Sequence, residues 1–394
     1  MSRRPYSPPG PLASLGDIGD DAIVSRKMRE MAAKVKRDSC RSPGSSLEYC
    51  AMLLTSDIGG TKTLLGLYSP DPERPSPIEI GEFVTLDYDG LEPMVREFLG
   101  AWKVDPRIIT AACIAVAGAI TDQVARLTNV PWLVDGEALA TALGLKRVEV
   151  INDLEALAYA VPVLEPGELA VLQQGIAVPG GNAAVIAAGT GLGIAMLHNV
   201  DGRFVPYASE GGHADFAART TREFELVAEL TRVFGRVGVE LVVSGPGLVN
   251  IYQFAHQSFG TGPTVTPNSI APARLCAGVG IERNHSTLPR RIYESAREGR
   301  CPHCVEAFDM FISAYGSEAG NLALRALATA GVYIGGGIAP KILPVLESGL
   351  FLEAFRAKEP MADLVATIPV SVILNPDSGL LGAAVRAMAL STGR

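Results

Sequence analysis

From Met52 onward the chain alternates between two kinds of apolar pattern. Short runs of consecutive apolar residues read as buried strands, and apolar residues at three- and four-residue spacing read as helix faces. The runs at 51–54 and 64–68 predict two strands around the stretch 55–63. A third strand is expected at 78–86, a helix at 91–102, and buried strands at 109–117 and 148–151. Leu154, Leu157, Ala158 and Val161 then recur at helical spacing, and Pro162 stops that helix. Strands at 183–187 and 192–197 flank the turn Ala188-Gly189-Thr190-Gly191. Helices are expected at 216–234, 307–330 and 380–390, and strands at 241–243, 332–334 and 369–374. Alternation of this kind defines an α/β protein.

The stretch Ser56-Asp57-Ile58-Gly59-Gly60-Thr61-Lys62-Thr63 carries the strongest chemical signal. Adjacent glycines let backbone N–H groups approach an anion, and Thr61, Lys62 and Thr63 add donors. Asp57, at the end of the first strand, is placed to hold a cation or its water. No G-x-x-x-x-G-K-[ST] run occurs, so this is not a P-loop. A glycine hairpin preceded by an acid suggests instead the phosphate-binding arrangement of sugar kinases, actin and chaperone ATPases, or else a plain β-hairpin with an incidental Asp. The turn at 188–191 repeats the design about 130 residues later. The expected architecture is two ribonuclease-H-like (actin/hexokinase-type) domains flanking a nucleotide and sugar cleft. Residues 52–163 plus 374–394 form the smaller domain and 164–373 the larger.

The 394 residues suffice for two domains with large cores. Residues 1–51 form an extension with Pro8-Pro9-Gly10-Pro11 and few large apolar side chains, expected to lack stable order. Within it Val24, Met28, Met31 and Val35 could line one face of a short helix. Acidic residues at 17, 20, 21, 30, 38 and 48 are unlike an organelle transit peptide. No apolar run reaches the length of a membrane span. The net charge of −8 argues against a nucleic-acid partner. A cytoplasmic protein is expected. Six cysteines at 40, 50, 113, 276, 301 and 304 look like reduced thiols. Cys301-Pro302-His303-Cys304 could be half of a zinc site or a redox pair. No second CxxC or HxxxH completes a ligand set, so a loop or helix start is expected there.

Three polar clusters interrupt the apolar text. Asn152-Asp153 ends a strand and starts a helix; Asp153 is placed either as a base toward a hydroxyl or as a helix cap. Glu210-Gly211-Gly212-His213 presents two side chains from a tight loop, a set suited to polyol hydroxyls. Glu240 precedes the turn Ser244-Gly245-Pro246-Gly247. Gly335-Gly336-Gly337 ends a buried strand where glycine permits packing against a base or ribose, or makes a plain turn.

In order along residues 52–388, the chain resembles the bacterial glucokinase family of the hexokinase/actin superfamily. The resemblance rests on SDIGGTKT at 56–63, LTN-x-x-W at 127–132, INDLEA at 151–156 and AAGTGLG at 187–193. It continues in SEGGHADFA at 209–217, VSGPGLVNIY at 243–252, GVYIGGGIAPK at 331–341 and GLLGAA at 379–384. The resemblance implies ATP-dependent phosphorylation of glucose at its 6-hydroxyl, with Asp153 as the base. Asn152, Glu210, His213 and Glu240 would hold the other hydroxyls. Asp57 would support Mg²⁺, while Gly59, Gly60, Thr61, Lys62 and Thr190 would contact phosphates. Gly335 and Gly336 would pack near adenosine. It further implies a homodimer. A related repressor–kinase family carries a cysteine-rich zinc motif shortly after its E-x-G-H. No cysteine lies between 213 and 276 here, which implies the zinc-free glucokinase branch.

Overall fold

A glycine-rich turn between two apolar runs closes a hairpin, and the molecule does this twice. The computed structural model describes residues 51–127, 130–257, 275–280 and 287–393. Strands β1 (Met52–Ile58) and β2 (Lys62–Ser69) pair antiparallel, and β3 (Ser76–Val84) extends the meander. Helix α1 (Leu91–Ala101) leads to β4 (Ile109–Val116), which lies parallel to β1. A small sheet follows: β5 (Ile120–Thr121), β6 (Val124–Arg126) and β7 (Leu133–Asp135). After α2 (Gly136–Leu143), β8 (Val148–Asn152) adds parallel to β4, giving the order β3-β2-β1-β4-β8.

Helix α3 (Asp153–Ala160) leaves this sheet, and β9 (Leu169–Gln173) enters the second. There β10 (Ala183–Ala188), β11 (Leu192–Val200) and β12 (Arg203–Ser209) repeat the antiparallel meander. Helices α4 (Thr221–Phe234), α5 (Gly245–Ala255), α6 (Leu288–Arg297) and α7 (Pro302–Ala326) follow. Strand β13 (Gly331–Gly335) lies parallel to β10. Three short helices, α8 (Leu343–Leu346), α9 (Leu350–Arg356) and α10 (Ala362–Thr367), precede β14 (Val370–Ile373) and the closing α11 (Ser378–Thr392). The second sheet runs β12-β11-β10-β13-β14-β9. Its first five strands repeat the order of the first sheet, and β9 is an antiparallel edge addition.

Helix α3 joins the two sheets through opposite stripes. Ala156 and Ala160 pack with Leu53, Cys113 and α11 residues Leu380 and Ala384 on one side. Leu157 and Ala158 pack with Val185, Ala187 and Ala195 of the second sheet on the other. Two strand glycines make room: a Cβ on Gly193 would lie 2.2 Å from Leu154 Cδ2, and one on Gly335 would lie 2.6 Å from Leu157 Cδ2. The far face of the first sheet is covered by α1 and α2, with Phe98 and Trp132 in its core. The far face of the second carries Tyr252, Phe311, Tyr315 and Phe351.

Several elements differ from the sequence expectation. The helix expected from 216 starts at Thr221, because Thr220 and Glu223 form a reciprocal capping box. Residues 241–243 are not a strand. A 3-10 turn, Val239–Leu241, leads into α5, where Ser244 Oγ accepts the Gly247 N–H at 2.9 Å and Pro246 sits in the first turn. Helix α7 begins at Pro302, five residues earlier than expected, and ends at Ala326. The apolar face at Val24, Met28, Met31 and Val35 lies outside the described residues. Residues 51–394 form one compact unit. Among the described residues no helix is long and apolar enough to cross a membrane.

Candidate active site

The first glycine turn is closed by Gly59 N–H donating to Lys62 O at 3.0 Å. Thr85 straps it from the side. Its N–H donates to Thr61 O at 3.1 Å, and its hydroxyl donates to Gly59 O at 2.9 Å while meeting Thr63 Oγ1 at 3.0 Å. Gly60, Thr61 and Lys62 are left exposed. The Lys62 ammonium sits 3.1 Å from Glu82 Oε2 on β3. Sequence reasoning missed Thr85, because a lone threonine at a strand end belongs to no motif.

Asp57 is half-buried beside this turn, near the end of β1. Its Oδ2 lies 2.8 Å from where a Cβ on Gly379 of α11 would sit. Burial raises the Asp57 pKa, Lys62 opposes the rise, and Asp377 adds to it. Among the described residues no hydrogen bond or ion pair holds this carboxylate.

Strand β8 delivers Asn152 and Asp153 to the start of α3. The cap is Asn152: its Oδ1 accepts from Leu154 N at 2.9 Å and Glu155 N at 3.4 Å, and its Nδ2 donates to Gly118 O at 3.2 Å. Asp153 occupies the first helical position, so its carboxylate is free of capping duty apart from the adjacent Leu154 N–H at 3.0 Å. Burial, with the charges of Asp57 and Glu210 adding, lifts its pKa to about 7. The same charges place these three acids around one region.

Glu210 and His213 project from a 3-10 turn held by His213 N–H donating to Glu210 O at 3.0 Å. Both side chains are exposed, with Nε2 and Oε2 3.7 Å apart. Gly212 is buried against β11, and a Cβ there would lie 2.1 Å from Leu192 O. The Arg236 guanidinium donates to His213 O and to Asp215 Oδ1, the latter at 2.7 Å, fixing the loop from outside.

Leu192 also anchors Glu240. Its N–H donates to Glu240 Oε2 at 2.9 Å, and a Cβ on Gly191 would lie 2.6 Å from that oxygen. Glu240 therefore sits at the joint between the second glycine turn and the strand beneath Gly212. In the turn itself, Gly189 N–H donates to Gly191 O at 2.8 Å and Gly189 O accepts the Gly245 N–H of α5 at 2.8 Å. Thr190 is exposed. The third glycine turn lies alongside. Gly336 has φ +82°, and a Cβ there would lie 2.5 Å from Ala188 O. Gly335 is buried beneath Leu157, whereas Gly336 and Gly337 are exposed. Of the 127–132 motif, Trp132 is a core residue whose Nε1 donates to Tyr88 O at 3.0 Å. Residues 128–129 lie outside the described ones.

Two glycine turns, a carboxylate near neutral pKa and a Glu/His loop are the features of a sugar kinase. Solved kinase structures share this fold. The glucokinase from an Antarctic psychrotroph superposes with a TM-score of 0.71 at 31% identity, covering 85% of this chain and 98% of that one. The family model described as Glucokinase matches residues 54–390, and the chain belongs to that family. A curated relative named glucokinase from Synechocystis sp. is 38% identical, covering 84% of this chain and 96% of its own. Another from Nostoc sp. is 40% identical, covering 86% and 99%.

Proposed function

We propose that this protein transfers the γ-phosphoryl group of ATP to the 6-hydroxyl of glucose, giving glucose 6-phosphate and ADP. The observation that carries this reading is Asp153. Its side chain is spared capping by Asn152 and has a pKa of about 7. A carboxylate with that pKa takes up a hydroxyl proton far better than an ordinary aspartate does. Phosphoryl transfer otherwise depends on positioning and charge stabilisation, which turns and ions supply.

Asn152, Glu210, His213 and Glu240 would hold the remaining sugar hydroxyls, each able to accept or donate. The open backbone at Gly59, Gly60, Thr61 and Thr190 would hold the phosphates. Lys62 would reach them on leaving Glu82. The exposed Gly336 would pack near adenosine, and the buried Gly335 would support that turn from below. Mg²⁺ would fit at Asp57, a half-buried carboxylate without a partner among the described residues, beside an exposed turn. Bound there with ATP, the ion would neutralise phosphate charge. The sheets on either side of α3 would form the two lobes around the substrates. Closure on sugar would exclude water and limit idle ATP hydrolysis.

A coupled assay with Mg·ATP tests the reading against glucose, mannose, fructose, N-acetylglucosamine and no sugar, repeated with polyphosphate. Turnover with glucose and ATP is expected. Preference for another hexose or donor would overturn the substrate assignment but keep the base. Sugar binding with no turnover would make the protein a sensor.

A further inference from the structure

The cysteines that look scattered in sequence are not scattered in space. His256 follows α5, Cys276 lies in the turn 275–280, Cys301 caps α7 and Cys304 is in its first turn. One ligand atom from each lies within 4.8 Å of every other. Cys276 and Cys304 sulfurs are 3.7 Å apart, and His256 Nε2 is 3.4 Å from Cys301 Sγ. A tetrahedral zinc ion, with bonds of about 2.3 Å to sulfur and about 2.05 Å to nitrogen, sets such pairs about 3.8 and about 3.6 Å apart. These two pairs match, and the remaining pairs, all within 4.8 Å, need to draw in by no more than about 1 Å.

The surroundings prepare the ligands. His256 Nδ1 lies 2.9 Å from Tyr252 O, an acceptor, so Nδ1 carries the proton and Nε2 presents its lone pair to the sulfurs. The Tyr252 hydroxyl accepts the Cys276 N–H at 2.8 Å, holding the turn in place. The His303 ring packs edge-on against His256 at 5.1 Å. Cys301 and Cys304 are buried, while His256 and Cys276 are half-buried. Four protein ligands leave no open position for a substrate or water, the condition of a structural site. Three thiolates and an imidazole select zinc over the hard cations Mg²⁺ and Ca²⁺.

We propose that His256, Cys276, Cys301 and Cys304 bind one zinc ion in a closed structural site. Binding is an exchange without redox change. The three thiols release their protons to solvent, and neutral His256 donates its lone pair. The ion ties the turn 275–280 to the end of α5 and the start of α7. The opposite end of α5 gives the Gly245 N–H to the Gly189 turn, about 16 Å away at 1.5 Å per residue. The clamp thus steadies the helix behind a phosphate turn while touching no substrate. These ligands come from residues 256–304, well beyond the Glu210–His213 loop in sequence.

The test uses the full chain, expressed with zinc, purified under reductant and dialysed against a weak chelator. Elemental analysis is expected to find about one zinc per chain, as a closed four-ligand site holds. Cobalt replacing zinc should show thiolate charge-transfer absorption and tetrahedral d–d bands. Cys276→Ser and Cys301→Ser should abolish retention, and a Cys40→Ser/Cys50→Ser control should keep it. Should a variant fail to fold, the wild-type metal content and cobalt spectrum decide. Wild-type protein with neither zinc nor a thiolate–cobalt spectrum overturns the proposal. So does a Cys276–Cys304 disulfide found by mass spectrometry in that reduced protein, or zinc retained undiminished by both serine variants. None of these readouts depends on kinase activity.

Discussion

Asp153 is the residue on which the proposed chemistry turns, and two measurements follow from its environment. Removing the base with Asp153→Asn should lower kcat about 10²–10⁴-fold, the usual worth of a positioned base, with sugar affinity little changed. Near-normal kcat would remove Asp153 from the chemistry. The base works deprotonated, so kcat/KM should rise with pH through about 7 and flatten above it. Stability runs the other way. A carboxyl whose folded pKa is raised from 3.8 to about 7 binds its proton more tightly when folded. Its contribution therefore becomes unfavourable as pH climbs between those values. Thermal denaturation should find Asp153→Asn more stable than wild type at pH 8, with the gap closing toward pH 4. The motif residues Asp57, Asn152, Asp153, Glu210 and His213 were all visible in sequence, because rare polar types stood out in apolar text. What sequence left open was the choice between base and cap. The hydrogen bonds give the cap to Asn152, which leaves the Asp153 carboxylate open to the proposed role.

At the scale of elements, glycine positions set how closely segments approach. A Cβ on Gly382 of α11 would lie 1.6 Å from Ala156 O on α3. Alanine would gain about 1 kcal/mol of helix propensity there. Overpacking against backbone costs about 1–3 kcal/mol or more. The steric loss should win, so Gly382→Ala is expected to lower the denaturation midpoint, and an unchanged midpoint would show that the helices can separate freely. Gly212→Ala should displace the loop carrying Glu210 and His213, because its Cβ would meet Leu192 O at 2.1 Å. A several-fold rise in the sugar KM, with the ATP KM unchanged, is the expected result. Both hairpins were legible, since their apolar runs are long and their turns glycine-rich. The 241–243 segment was misread as a strand because Val242 and Val243 have strand-like side chains, while Ser244 and Pro246 start a helix there. Of the Cys/His cluster, Cys301 and Cys304 were legible as a possible half of a zinc site, whereas His256 and Cys276 come from two other segments and join them only in the fold.

Across the whole molecule, Arg74 ties the loop after β2 to the connection between the sheets. Its guanidinium donates to both Glu168 oxygens at 2.8 and 2.7 Å and to Val163 O at 2.6 Å; Glu168 also accepts from Asn375 at 2.7 Å. Burial works to raise the Glu168 pKa, but the Arg74 hydrogen bond and its other partners lower it overall. This stabilisation is present above the ordinary value of 4.5 and is lost as pH falls below it. Arg74→Ala should cost about 1.5–3 kcal/mol at pH 7 in denaturant titrations, with a smaller cost in acid. Deleting residues 1–51 should leave activity intact; loss of folding would make that segment structural. The final helix has a different kind of consequence. Helix α11 packs on β1 and β4, adjacent strands of the first sheet, and Gly379 lies against Asp57. Arg386 pairs with Glu149 at 2.6 Å, and Arg147 donates to Leu390 O and Ser391 O. On the ribosome, these strands must therefore wait for the much later α11 to be synthesised before their second face is covered. A chain stalled or truncated before α11 would carry the first glycine turn but expose the apolar surface meant for α11, making it a substrate for chaperones and proteases.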